Sequence, residues 1–503
     1  MKTAKIYRFF EIIPGALVWI TILTGIILSL FKPLWAVYFI IIFDIYWLLR
    51  IMYLLVYMLY SWNKYRATLK IDWLKKLKNT HPNWQEYYHL IFFPVYNETK
   101  EIIEEAFESL KQTHYPLDTY IIVLTGEERG GKKEFLEKSQ YIEKKYGDCF
   151  KKIFINMHPA NLQDELPGKG SNLHHAGKEV KKLIDEWKLD YSKIIVSTFD
   201  IDTRPHKEYF GCLSYTYASQ KDPTKASYQP IALYNNNVWQ SNAIIRLVAS
   251  STTFWLLTDL ARPERLYTFS SHSMSFKALV DVGFWDKTIV TEDSKIFLQC
   301  FVKYGGEYRV IPLFMPVYMN TVEVGKFWKS LNNQYKQMRR WAWGVEHFPW
   351  MMIHFFFDKN VQPIPFRKKI HHLWNLLEGT YSWATAPFII YIVGHLPLWV
   401  AMTQEKNMTV FQNAPYILSY LMRASLIGII AIAIMYSLML PPKPKDAPVY
   451  QYITIALQWL LIPFTLVLFG SIPATDAQTR LMLGGKYRLG FWVTEKIPSK
   501  NKT

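Results

Sequence analysis

Five runs of this chain, 12–31, 34–60, 379–402, 413–440 and 450–472, are nearly free of charge or dominated by apolar side chains. Each reaches the roughly 20 residues that an α-helix needs to cross about 30 Å of hydrocarbon. Between the second and third lies a long charged stretch, 61–370, with the pattern of a water-facing domain. The first run lacks a small-residue cleavage site, and a second follows directly after Lys32-Pro33. A helical hairpin is therefore expected there rather than a cleaved leader.

Inside the charged stretch, short apolar runs alternate with helical patterns. His89–Phe93, Tyr120–Leu124, Lys152–Asn156 and Lys193–Phe199 read as strands. Glu101–Lys111, Lys133–Tyr146 and Ser171–Trp187 between them read as helices. That alternation predicts an α/β domain with a mostly parallel sheet flanked by helices. Ligands of such sheets bind beyond the carboxyl ends of the strands, and Asp200-Ile201-Asp202 sits immediately after one. There is no internal repeat, and Pro441-Pro442-Lys443-Pro444 reads as a short connector between membrane helices.

Half of the 503 residues are apolar, yet mean hydropathy is near zero, because two different populations are averaged. The net charge of +17 comes from dispersed Lys and Arg, not a clustered stripe, so no nucleic-acid partner is expected. Positive-inside bias and attraction to anionic lipid account for the excess. The three cysteines, Cys149, Cys212 and Cys300, have no metal-ligand spacing, which fits a reducing cytosol. Lys2, Lys5 and Arg8 put the N-terminus in the cytosol, and the hairpin then returns the soluble domain to that side. Three further crossings would leave the tail outside, although its Arg480, Lys486, Arg488, Lys496, Lys500 and Lys502 favour the cytosol. One late run is therefore expected to re-enter or lie along the interface, and 379–402, flanked by Glu378 and containing Pro387, is the first suspect.

Three motifs carry candidate chemistry. Asp200 and Asp202, two residues apart in extended or turning backbone, can project together and hold a hard cation; the alternative is a solvated turn. Thr291-Glu292-Asp293 opens a predicted helix, Ser294–Val302, as either a helix cap or the source of a general base. Gln337-Met338-Arg339-Arg340-Trp341 combines a diphosphate clamp with a flat ring for a sugar, or else is an interfacial helix with snorkelling Arg and headgroup-level Trp.

Together these motifs resemble a membrane-embedded family-2 glycosyltransferase of the cellulose and hyaluronan synthase type, from about residue 85 to the C-terminus. The resemblance implies a GT-A, Rossmann-like cytosolic domain combined with transmembrane helices. Pro94, Tyr96 and Glu98 match the nucleotide-binding loop, and Gly168-Lys169-Gly170-Ser171-Asn172-Leu173 puts Lys169 near the nucleotide. By the same resemblance Asp200 contacts the nucleotide, Asp200 and Asp202 hold Mg2+ or Mn2+, and Asp293, with Glu292 beside it, is catalytic. Gln337 and Arg340 meet the diphosphate, Trp341 lies under the acceptor, and His272 in Phe269–Ser273, where the family lines the acceptor pocket, either contacts the acceptor or is a buried structural histidine. Phe491-Trp492-Val493-Thr494-Glu495-Lys496 fits the gating loop of processive synthases, which gives Thr494 and Lys496 to the donor site. Where the family usually has an Asp against the nucleobase, this chain offers Glu127 or Glu128. No cyclic-dinucleotide-sensing barrel is expected.

The expected architecture is a hairpin at 1–62, a catalytic domain at 63–322, interface helices at 323–370, transmembrane helices at 371–475 and a basic cytosolic tail at 476–503. The expected activity is inverting transfer from a nucleotide sugar, with UDP favoured, to a growing polysaccharide at the cytoplasmic membrane, with accessory export subunits as partners. The alternative acceptor is a polyprenyl phosphate or another lipid, modified once. A transporter would instead use polar residues such as Asp44 and Arg50, which otherwise form an interhelical pair.

Overall fold

The computed structural model describes residues 2–403, 409–445, 450–490 and 492. Thr494 and Lys496 lie outside the described residues. Lys2–Phe31 and Pro33–Thr68 are helices separated only by Lys32, the expected hairpin, and Pro33 occupies the first helical turn, where its missing N–H costs nothing.

The soluble domain is built on one sheet of eight strands: β1 Tyr88–Val95, β2 Tyr120–Glu127, β3 Lys152–His158, β4 Ile194–Thr198, β5 Arg204–Pro205, β6 Ala226–Leu233, β7 Ser273–Ser275 and β8 Arg309–Tyr318. Their order is β3-β2-β1-β4-β7-β6-β8-β5. β3, β2, β1 and β4 run parallel, as do β6 and β8, while β7 is antiparallel to both of its neighbours and β5 to β8. The first four strands coincide with the four predicted. The other half of the sheet was not predicted: Pro230 with an adjacent register shift interrupts β6, Pro312 and Pro316 interrupt β8, and β7 is too short for a period. Period-2 alternation sorts the core: Leu90, Phe92, Ile121 and Val123 pack on one face, Ile91, Phe93, Ile122 and Leu124 on the other. The parallel register brings the ends of β1, β2 and β4 to a common rim.

Among the described residues, six helical segments are long and apolar enough to span a membrane: the five expected and Ala243–Leu260. Two-thirds of the apolar window in that additional helix is buried within the protein, so its apolar surface faces the fold rather than lipid. Arg50 pairs with Glu378 of a neighbouring helix, and Arg265 reaches the same carboxylate at 3.2 Å. Arg50 is thus held in an interhelical pair with Glu378, whereas Asp44, the other residue considered for a transport path, is not its partner.

The segment 450–483 departs from the expected order. At its start, Gln451 donates to the Trp239 carbonyl, while Arg246 donates to Gln458 and Thr454. At its end, Asp476 accepts from Tyr335 and Arg339 of helix Phe327–Ala342, Arg8 reaches the carbonyls of Leu481 and Met482, and Arg488 pairs with Glu11. Both ends thus meet the soluble side. Pro463, a π-helical turn at Val467–Ser471 and Pro473 interrupt the α-helical ladder and allow the return. The suspect run 379–402 instead extends along the hairpin, where Val393 meets Gly25 and Gly394 meets Ile40. The run that turns back is 450–483. Gly15 permits the closing contact, because a Cβ there would lie 2.6 Å from the Gln478 carbonyl.

This geometry predicts that Lys5→Cys and Lys486→Cys, each in a cysteine-depleted background, react with a membrane-impermeant maleimide from the same face of sealed vesicles. Labelling from opposite faces would refute the returning segment.

Candidate active site

Lys169 is the first residue of helix Lys169–Glu186. Gly170 lets that helix approach the following acids closely; a Cβ there would lie 2.9 Å from the Asp286 carbonyl and 3.1 Å from Glu292 Cβ. Lys169 Nζ consequently sits 3.0 Å from Asp200, 3.0 Å from Asp293 and 3.5 Å from Glu292. Burial disfavours the ammonium, but Asp200, Asp293 and Glu292 outweigh it and raise its pKa, so Lys169 stays charged. Glu292 is pushed up to about 7, mainly by burial and then by Asp293, against Lys169 and Arg340. Motifs separated by more than a hundred residues therefore share one charged corner.

Asp200 and Asp202 leave the rim just after β4. Ser270 Oγ donates to Asp200 Oδ2 at 3.1 Å, and the Asn320 backbone N–H donates to the nearly buried Asp202 carboxylate at 3.0 Å. Among the described residues, no group of three or more His, Cys, Asp or Glu side chains is arranged to hold a metal. Two carboxylates still fit a hard cation that takes the rest of its shell from phosphate oxygens and water. Arg340 adds a buried Nε with no hydrogen-bond partner in the structure, and it lines the same cleft. That donor set suits an anionic ligand and its counter-cation.

Nine of the sequence-derived residues, Pro94, Tyr96, Glu98, Glu127, Lys169, Asp200, Glu292, Gln337 and Arg340, line the cleft together with Asn172 and Trp492, and Asp293 adjoins it through Lys169. Glu127 rather than Glu128 faces it; Glu128 instead accepts from the Ala160 N–H and pairs with Lys132. Trp341 stands beside the cleft between Phe269 and Tyr234, with ring centroids at 5.5 and 6.2 Å. Tyr234 is an unanticipated member: burial and then Asp200, Asp202 and Asp293 raise its pKa well above the ordinary value.

His272, expected at the acceptor, is fully buried. Its Nδ1 lies 3.0 Å from the Phe269 carbonyl and 3.9 Å from Asp293 Oδ1, so it sits beneath the site rather than on its surface. The reason is its position just before the central strand β7, whose residues are all buried.

Sequence reasoning also missed what fixes helix Glu292–Lys303. Thr291 Oγ1 donates to Glu346 at 2.7 Å, Trp343 Nε1 donates to the same carboxylate at 2.8 Å, and Ser294 meets His347 at 2.8 Å. Lys295 Nζ stacks 3.5 Å over Trp350. Burial brings Lys295 down to about 7 and Glu346 up to about 7. The nearest linear signal is that Glu346 follows Trp341 by five residues.

The family described as glycosyl transferase family group 2 matches residues 195–472. Among solved structures, similarity extends to a mannosyltransferase from Pyrobaculum calidifontis in complex with GDP-Man and Mn2+ (13% identity, 78% of this chain and 99% of that one, TM-score 0.43). It also extends to residues 1–349 of TarS from S. aureus in complex with UDP-GlcNAc (12% identity, 72% and 98%, TM-score 0.33). No curated protein matches the chain. Because the matched span exceeds half of the chain and contains Asp200, Asp202, Asp293 and Arg340, the protein belongs to glycosyl transferase family group 2 and is a glycosyltransferase.

Proposed function

We propose that the protein transfers a sugar, with inversion, from a nucleotide-sugar donor to a growing glycan at the cytosolic face of a membrane. The observation that carries this reading is the convergence of Lys169, Asp200, Glu292 and Asp293 in a cleft shared with Arg340 and Gln337. Arg340 and Lys169 hold the donor's diphosphate, which competes with Asp200 and Asp293 for the Lys169 ammonium. Asp293, relieved of that ion pair, takes the proton from the attacking hydroxyl. Asp200 and Asp202 hold Mg2+ or Mn2+, which when bound neutralises charge on the departing diphosphate. Trp341, braced by Phe269 and Tyr234, offers its ring to the acceptor sugar. Positioning and charge neutralisation supply most of the rate gain. The return of 450–483 keeps the basic tail on the catalytic side, where its Trp492 lines the cleft.

The reading is tested by incubating the purified protein in lipid with a panel of nucleotide sugars and Mn2+. Nucleoside diphosphate release identifies the donor, and a ladder of polymer masses is expected. A singly glycosylated lipid would overturn the glycan acceptor, and transfer that persists in excess chelator would remove Asp200 and Asp202 from the metal role. Asp293→Asn is expected to keep donor affinity and to lower kcat at least roughly a hundredfold; an unchanged rate would exclude Asp293 as the base.

Glu292 provides a pH test. Its raised pKa means that folding favours the neutral carboxyl, a stabilisation complete below the ordinary 4.5 and lost as pH climbs through about 7. Glu292→Gln, neutral at every pH, should therefore flatten the fall in melting temperature between about pH 5 and about pH 8. A slope matching the wild type would show that Glu292 is already ionised in the folded protein.

A further inference from the structure

At the end of the cleft away from Asp293, a second buried cluster surrounds Glu127. Glu127 and His158 are register partners at the ends of β2 and β3, so their side chains leave the same face of the sheet. His158 is completely buried; its Nδ1 is hydrogen-bonded to Glu127 Oε1 at 2.5 Å, and its Nε2 lies 3.0 Å from Glu165 Oε1 as an ion-pair contact without hydrogen-bond geometry. The other Glu127 oxygen accepts from Arg129 at 2.6 and 3.1 Å. Glu165 lies in the loop that connects β3 to Lys169, a loop also held by the bond from the Leu166 N–H to the Lys287 carbonyl. The imidazole thus joins the carboxylate facing the donor to the segment that delivers Lys169.

We propose that His158 is a positioning residue of the donor site: clamped between Glu127 and Glu165, it fixes Glu127 against the nucleobase and makes recognition of the base depend on its own protonation. The proposal rests on the reading that Glu127 meets the donor's base. An imidazolium donates from Nδ1 to Glu127 and sets its positive charge against Glu165. A neutral ring donates from only one and turns a lone pair toward the other carboxylate, so either Glu127 or Glu165 must move. The remaining charged or titratable groups around the ring are Arg129, which balances Glu127, and His175, whose ring centroid is 5.3 Å away. Burial and the neighbouring His158 depress His175, so it stays neutral and does not compete for the proton. For His158, burial opposes the charge, but Glu127 and Glu165 together outweigh it and raise its pKa above the ordinary value. Base recognition is consequently complete at low pH and is lost as pH rises through that raised pKa.

The test uses the full-length protein in nanodiscs and titrates UDP, GDP and inorganic pyrophosphate, each with Mn2+, from about pH 6 to about pH 9. Pyrophosphate lacks a base, so the ratio of nucleotide to pyrophosphate affinity cancels phosphate ionisation and reports the base alone. In the wild type, the ratio for the preferred nucleotide should fall about tenfold across this range, with one inflection. His158→Gln should lower the ratio about tenfold at acid pH and remove the inflection, while kcat at saturating donor stays within about threefold. Glu165→Gln should move the inflection to lower pH, and this arm decides the matter if His158→Gln does not fold. A wild-type pH profile in His158→Gln, or an unmoved inflection in Glu165→Gln, overturns the proposal. If Glu127→Gln leaves the ratio unchanged, the placement of the base fails as well; a Glu127→Gln defect beside a normal His158→Gln rejects the role of His158 alone.

Discussion

Three carboxylates cannot share a largely desolvated corner without a cation, and Lys169 is that cation. Its ammonium touches Asp200 from the end of β4 and both Glu292 and Asp293 from the start of a later helix, so one ion cluster sets how the two halves of the catalytic domain meet. Removing a buried charge partner costs far more than a surface pair contributes, which ties the shape of the cleft to this cluster. The same cluster constrains the chemistry. A donor diphosphate brings more negative charge into a corner that already holds Asp200, Asp202 and Asp293. Lys169 and Arg340 cannot balance it alone, and this electrostatic deficit is the physical argument for a divalent ion.

The second face of the cleft belongs to the membrane-associated part of the chain. Gln337, Arg340 and Trp341 lie on a helix held by Arg339 and Tyr335 to Asp476, in the arm that turns back. That arm is packed against the first helix at Gly15 and Arg8. Glu346, just beyond the same helix, grips Thr291 at the head of the acid-bearing helix. Gln337, Arg340 and Trp341 are therefore positioned through contacts that exist only when the hairpin, the returning arm and the sheet are assembled. Catalytic geometry and membrane packing are one problem for this fold.

What the sequence disclosed followed physical periodicity. Strands with uninterrupted apolar alternation, β1 to β4, were legible, and so was the acid pair Asp200 and Asp202 just after β4, because strand-end position follows from chain order alone. β6 and β8 were hidden by Pro230, Pro312 and Pro316, which a linear reading takes as breaks; in the sheet they sit where the ladder shifts or tolerates a missing donor. For His272 the sequence left an acceptor contact and a buried place side by side, since burial is set by strands on either side of it. Glu346, His158 and Glu165 were invisible for a different reason: each acts through a partner distant in sequence, or through a loop whose path no period encodes. The returning arm was partly legible, because the basic tail demanded it, but charge counting could not say which run turned.

The neighbouring acids Glu292 and Asp293 show how the fold separates roles that a motif leaves merged. Successive residues on a helix point about 100° apart, so the two acids meet different surroundings. Glu292 turns inward and its side chain is 4% exposed, whereas the Asp293 side chain is 23% exposed and reaches the Lys169 ammonium at 3.0 Å. Burial, and then Asp293, push Glu292 up to about 7, so the corner sheds negative charge as pH falls through that value. Helix geometry thus gives two adjacent acids of one motif different exposures around the same Lys169 ammonium.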